Sequence, residues 1–131
     1  PANDLQQVAT GLVSESQQAV RILAEVCSVY PERNEALINA GTIALSKETS
    51  DTPGYGRVTD RPHWSVMRMS QEHGILATQK DGESVGDRFR VGDKVYLFCH
   101  HSCIATAAHL VYYVVDDQDV VRETWIPWRG W

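Results

Sequence analysis

The apolar positions of this chain fall in short runs, mostly spaced by two and separated by breaks rich in Gly, Pro, Asn and Asp. Alternation of that kind marks strands with one buried face, because successive side chains on an extended backbone point to opposite sides. Residues 19–30 form the densest stretch. Val20, Ile22, Ala24 and Val26 alternate as in a strand, whereas Val20, Leu23, Ala24 and Cys27 would share a helix face. The β-branched residues sit on the alternating face and Pro31 ends the run, which favours a strand. Residues 33–46 read as strand, turn, strand, with Ala36-Leu37-Ile38 and Thr42-Ile43-Ala44-Leu45 on either side of Asn39-Ala40-Gly41. Residues 46–60 contain Thr52-Pro53-Gly54-Tyr55-Gly56, the composition of an ordered loop.

Further along, Trp64, Val66 and Arg68 alternate with Ser65, Met67 and Met69, and residues 74–78 are the expected partner strand across Gln71-Glu72-His73. Val85-Gly86-Asp87 and Val91-Gly92-Asp93 repeat a small turn element, with Phe89 and Val91 expected on one face of a strand between them. Residues 111–116 and 120–126, around Asp117-Gln118-Asp119, are the clearest hairpin. Residues 1–18 are polar and mixed, with Gly11 interrupting any helix, and read as a lead-in from something upstream. The pattern predicts a mainly β domain over residues 19–131, an antiparallel β barrel or sandwich with little helix.

A chain of 131 residues, 43% hydrophobic and 22% charged, is long enough to bury a core without covalent staples. The formal net charge of -5 argues against nucleic acid as a partner. No apolar run approaches the roughly 18 residues of a membrane span, and the first residues lack the pattern of a signal peptide, so a cytoplasmic protein is expected. The three cysteines, Cys27, Cys99 and Cys103, are an odd number and fit a reducing compartment better than a disulfide framework.

Candidate chemistry concentrates in Val95-Tyr96-Leu97-Phe98-Cys99-His100-His101-Ser102-Cys103, where an apolar strand-like run ends in four potential metal ligands. If the strand continued, His101 and Cys103 would share a face, with Cys99 on the same side and His100 on the other. Imidazole and thiolate are zinc ligands, and a pair from one strand leaves coordination positions open for water or substrate. A His-x-Cys triplet is weak evidence by itself, and a packed cysteine beside a half-exposed histidine is the structural alternative. Weaker acid/base candidates are Tyr55, between two glycines, and the adjacent pair Glu72 and His73. His63 and His109 are given no role, and Trp125, Trp128 and Trp131 read as core and rim packing. No phosphate loop or nucleophile elbow is present, and Lys47, Lys80 and Lys94 all lie in polar or turn contexts unsuited to a Schiff base.

Several motifs, taken in order, resemble the carboxy-terminal domain of eukaryotic, particularly fungal, D-serine dehydratase-like enzymes. They are Asn34-Glu35-Ala36-Leu37-Ile38-Asn39-Ala40-Gly41, Ala44-Leu45-Ser46-Lys47, Pro53-Gly54-Tyr55-Gly56, Ser70-Gln71-Glu72-His73-Gly74, Val91-Gly92-Asp93-Lys94-Val95, His101-Ser102-Cys103 and Tyr113-Val114-Val115-Asp116. The resemblance runs from residue 19 to the end, and the family is related to D-threonine aldolases and alanine racemase-like enzymes. It implies an upstream α/β barrel holding pyridoxal phosphate on a lysine, so that residues 1–18 become the linker from that barrel and the cofactor lysine lies outside the chain. It further implies that His101 and Cys103 bind zinc, that zinc activates the β-hydroxyl of D-serine for elimination to pyruvate and ammonia, and that the full-length enzyme is a homodimer, inactive without its barrel. A D-threonine aldolase-type lyase and a non-catalytic structural or interaction module are the alternatives. Two positions depart from the family pattern: Cys99-His100 stands where Pro-Asn is usual, and Asn39 where Asp is usual.

Overall fold

The structure, a computed structural model, describes residues 3–128. β1 (Ile22–Tyr30), β2 (Glu35–Ile38), β3 (Gly56–Val58), β4 (Trp64–Met69), β5 (Gly74–Thr78) and β6 (Lys94–Cys99) close into an antiparallel barrel in the order β1-β2-β5-β4-β3-β6. β1 serves both neighbours. Its first half pairs with β6, Ile22↔Leu97 to Glu25↔Lys94, and its second half with β2, Val26↔Ile38 to Tyr30↔Glu35. The register shifts between Val26 and Ser28, a bulge that bends the strand between its two partners.

The alternation seen in the sequence is the burial pattern of the barrel. Ile22, Ala24 and Val26 face inward while Leu23 and Cys27 are exposed, which settles residues 22–30 as strand rather than helix. Ala36, Ile38, Val58, Trp64, Val66, Leu76, Val95 and Leu97 belong to the same core. Trp64 is fully buried yet keeps its indole N–H paired, donating to Glu83 Oε2 at 2.7 Å. Lys80 and Arg88 also lie near that carboxylate, at 3.4 and 3.8 Å. Burial opposes ionisation of Glu83, but Trp64, Lys80 and Arg88 together hold it below the ordinary value of 4.5.

Four short helices decorate the barrel. α1 (Leu5–Ala9) lies within the segment read as a lead-in; it ends before Gly11, and Leu5 is fully buried. α2 (Thr42–Leu45) replaces the expected second strand of residues 33–46. The β-branched pair Thr42 and Ile43 looks strand-like, but their N–H groups donate to Ser70 O and Gln71 O of the β4–β5 turn, at 2.9 and 3.0 Å. Gly41 permits that approach, since a Cβ there would sit 2.6–2.7 Å from Ser70 O, Gln71 O and His73 N. α3 (Val85–Arg88) replaces the first turn element, and no strand lies between it and β6. Phe89 turns inward, edge-on to Trp64 with ring centroids 5.0 Å apart, while Val91 is exposed, so the two do not share a face. Asn34 holds this segment, its side chain donating to Glu83 O and accepting from Val85 N.

After β6 comes α4 (Ser102–Ala107), packed against α2, and then a hairpin of β7 (Tyr112–Val115) and β8 (Val121–Trp125) close to its expected bounds. Among the described residues the hairpin strands pair only with each other. Arg21 forms an ion pair with Asp119 at the tip, and Tyr112 Oη donates to Thr106 O at 2.8 Å. Tyr113, Val115, Val121 and Ile126 are exposed. So are Trp125 (56%) and Trp128 (103%), contrary to their expected core and rim packing, since among the described residues the hairpin strands pair with each other and not with the barrel; Trp131 lies outside the described residues.

Gly41→Ala is expected to push α2 off the β4–β5 turn and lower stability by about 1–3 kcal/mol, measured by chemical denaturation. In acid, the depressed Glu83 ionisation gives stability that is present above pH 4.5 and is lost as pH falls through its lowered folded value. Glu83→Gln should therefore flatten the decline in stability on acidification below that pH, followed by denaturation at a series of pH values.

Candidate functional site

β6 runs out of partners before the proposed ligands are reached. Its pairing with β1 ends at Ile22↔Leu97 and that with β3 at Gly56↔Cys99. The chain then turns, and Ser102 opens α4, where Ala105 and Ala107 are strong helix formers. His101 is the N-cap residue, with φ -133° and ψ 100°, and Cys103 is the second residue of the helix. The two therefore do not lie on one face of a continuing strand, as the spacing suggested. They flank a strand-to-helix turn, His101 partly exposed and Cys103 exposed.

Cys99 separates from them. It is the last residue of β6 and buried in the core; burial pushes its thiol up to about 11, with the negative charge of Asp4 and the neighbouring Cys103 adding to the effect. His100 is fully buried, and its Nδ1 lies 2.9 Å from Ser50 Oγ. Burial holds its imidazole below the ordinary histidine range, against the pull of the Gly54 backbone and Asp4. Cys99 and His100 are thus built into the protein interior, and all three cysteines are free.

Three further contacts fix the turn. Gln6 N donates to His100 O at 3.2 Å, Asp4 Oδ2 accepts from Ser102 N at 2.8 Å, and Thr106 Oγ1 donates to Ser102 O at 2.7 Å. Asp4 is itself the N-cap of α1: its Oδ1 accepts from Gln7 N, and Gln7 Oε1 accepts from Asp4 N, each at 3.1 Å. Sequence reasoning missed Asp4. The signal was present as Asp4-x-x-Gln7 ahead of an apolar residue, a helix-start pattern inside a stretch that looked merely polar.

The weaker candidates lie elsewhere. Glu72 and His73 are exposed on the β4–β5 turn and line an open cleft of about 320 Å³ with Asn39, Gly41, Ile43, Ala44, Ala108 and His109. Ala108 is five residues beyond Cys103, roughly 8 Å along the helix axis. His109 Nε2 lies 3.1 Å from Ala44 O and helps join the end of α4 to α2. Tyr55 is partly exposed and held by its N–H on Val66 O at 2.8 Å, next to Gly56, which pairs with Cys99. Asn39 Oδ1 accepts from Glu25 N at 2.8 Å and extends the β1–β2 pairing, a task for which a carboxylate oxygen would also serve. Lys47, Lys80 and Lys94 are exposed, the last two paired with Glu83 and Glu25, and none has the desolvated setting of a Schiff-base lysine.

The donor types at the turn fit a zinc ion: one imidazole and one thiol, neither with a hydrogen bond in the chain among the described residues. They are only two donors. Among the described residues no cluster of three or more His, Cys, Asp or Glu could enclose a metal, so further ligands would have to come from water, substrate or another part of a protein. No helix of the described residues is long and apolar enough to cross a membrane.

Comparison with known proteins extends these observations. Residues 19–115 match the family described as "Putative serine dehydratase domain". The D-serine dehydratase of Schizosaccharomyces pombe is 41% identical over 137 residues, covering 100% of this chain and 32% of its own length. That of Saccharomyces cerevisiae is 35% identical and is likewise covered over 32% of its length. The chain thus spans about a third of these relatives. The solved structure of D-threo-3-hydroxyaspartate dehydratase from Delftia sp. HT23 superposes with a TM-score of 0.87 at 28% identity, over 99% of this chain and 37% of that one. Two variants of that dehydratase superpose as well, one with a histidine replaced by alanine and one with a cysteine two positions further on replaced by alanine, the latter in a metal-free form. The six-stranded barrel, the strand-to-helix turn after it and these sequence matches together make the chain a member of the serine dehydratase-domain family.

Proposed function

We propose that this chain is the metal-binding β domain of a D-serine dehydratase-like lyase, with His101 and Cys103 as its zinc ligands. The observation that carries the reading is the pairing of an unbonded imidazole with an exposed, unbonded thiol across a clamped turn, on a chain of this family. The His-x-Cys spacing also matches the two replaced positions in the Delftia dehydratase, whose cysteine variant was solved in a metal-free form.

When bound, zinc would supply a Lewis acid for the departing β-hydroxyl of a small D-amino acid, and pyridoxal phosphate on a separate barrel domain would supply the electron sink. The chain's own part is to hold two donors in fixed relation while leaving the remaining coordination positions open. Cys103 donates from the exposed side of α4, and His101 from the N-cap position. Cys99 and His100 stay out of the coordination sphere, the one as a protonated core thiol and the other as a buried imidazole facing Ser50. With no suitable lysine here, turnover belongs to the full-length, homodimeric, cytoplasmic enzyme in this reading. D-Serine is the proposed substrate, on the strength of the two yeast relatives.

Metal analysis tests the ligand assignment. The protein should hold zinc, and His101→Ala and Cys103→Ala should each lose it while Cys99→Ala keeps it. In the full-length polypeptide, Cys103→Ala should lower kcat for pyruvate formation from D-serine by about a thousandfold, the equivalent of several kcal/mol of Lewis-acid stabilisation. A parent protein without zinc, or alanine variants that retain it, would overturn the reading.

A further inference from the structure

We propose that Asp4 is a positioning residue for the metal turn, its carboxylate setting the backbone between the two ligands from the far end of the chain. The inference rests on the His101–Cys103 reading and adds a residue outside the matched family region, residues 19–115.

The argument is one of peptide planes. Each peptide unit is rigid, so a hydrogen bond to its N–H or C=O fixes the dihedrals on either side. Two planes separate the Cα atoms of His101 and Cys103. The first carries the N–H of Ser102, which donates to Asp4 Oδ2 at 2.8 Å; the second carries the C=O of Ser102, which accepts from Thr106 Oγ1 at 2.7 Å. The preceding plane is held as well, by Gln6 N on His100 O at 3.2 Å. The first plane also carries the C=O of His101, which accepts from Ala105 N at 3.1 Å, so one of the two planes between the ligands is set within α4 alone, while the other is set from both sides, its C=O by α4 and its N–H by Asp4, 98 residues away in sequence.

The identity of the N-cap gives an independent reason for this arrangement. A helix start ordinarily receives a side-chain oxygen from its own N-cap residue. Here that residue is His101, and its ring makes no cap bond. The first turn of α4 therefore gets no acceptor from its own N-cap, and its first N–H, that of Ser102, which no N-cap side chain ordinarily reaches, takes an acceptor from elsewhere. Asp4 supplies it, only 6% exposed and with both oxygens on backbone N–H groups, Gln7 and Ser102. Charge-assisted bonds of this kind are among the stronger hydrogen bonds and suit a carboxylate removed from water.

Asn and Ser are good N-caps, so Asp4→Asn and Asp4→Ser keep α1 capped while each removes one of the two carboxylate acceptors. Gln7→Ala is the control, since it breaks the capping box of α1 and leaves the Asp4–Ser102 bond in place. Cobalt(II) is titrated into each protein and read by its thiolate charge-transfer and d–d bands, with stability followed in parallel by denaturation. Both Asp4 variants are expected to bind cobalt about 10- to 100-fold more weakly than the parent, as for other residues that orient ligands, with altered band positions or intensities. Gln7→Ala should keep the parent affinity and spectrum at a comparable loss of stability. Parent-like affinity and spectrum in either folded Asp4 variant would overturn the proposal, as would equal weakening in Gln7→Ala. If the parent itself gives no thiolate band, or Cys103→Ala retains it, the ligand reading fails first and takes this inference with it.

Discussion

Barrel closure is the constraint from which the rest follows. β6 has to satisfy hydrogen-bonding edges on both sides, β1 on one and β3 on the other, and these partners are staggered, so pairing lapses at Leu97 on one side and at Cys99 on the other. Gly56 sits opposite Cys99, with Phe98 O 3.2 Å from where a Cβ would stand, and a larger residue would crowd the end of the seam. Where pairing stops, the backbone needs new partners for its polar groups. It finds them in Gln6, Asp4 and Thr106, and the turn those residues shape is where the two proposed ligands stand.

The buried residues on the near side of that turn have a different task from the exposed ones beyond it. Cys99 fills the end of the core and His100 reaches inward to Ser50, joining the barrel to the residue 46–55 loop. Four adjacent potential ligands thus divide into an inner pair that holds the loop and an outer pair that faces solvent.

Much of the barrel was legible because its strands obey a simple rule: Ile22, Ala24 and Val26, or Val95 and Leu97, alternate with exposed or half-buried neighbours, and the pleat does the rest. Legibility failed where backbone groups bond to distant partners. Thr42-Ile43 has strand composition, but its N–H groups are taken by Ser70 and Gln71, and only the nearness of Gly41 to that turn makes a helix the better solution. Phe89 and Val91 have strand spacing, yet no strand forms there, and only Phe89 turns inward to pack on Trp64 while Val91 stays exposed. At the candidate site the sequence showed which residue types stand together, and the resemblance singled out His101 and Cys103. It did not show the change from strand to helix between Cys99 and Ser102, because that depends on where β1 and β3 end, nor the part of Asp4, which is remote in sequence.

The span from Asp4 to Ser102 also orders events in time. A contact between residues 98 apart forms only after the chain between them has been gathered, and here that chain is the barrel itself. α1 is made before β6, and Asp4, with Oδ1 already on Gln7 N, keeps Oδ2 without its Ser102 partner until β6 has been inserted between β1 and β3. The turn is therefore among the last parts to set. On the proposed reading zinc enters an already folded protein, in contrast to small zinc modules in which the ion templates the fold.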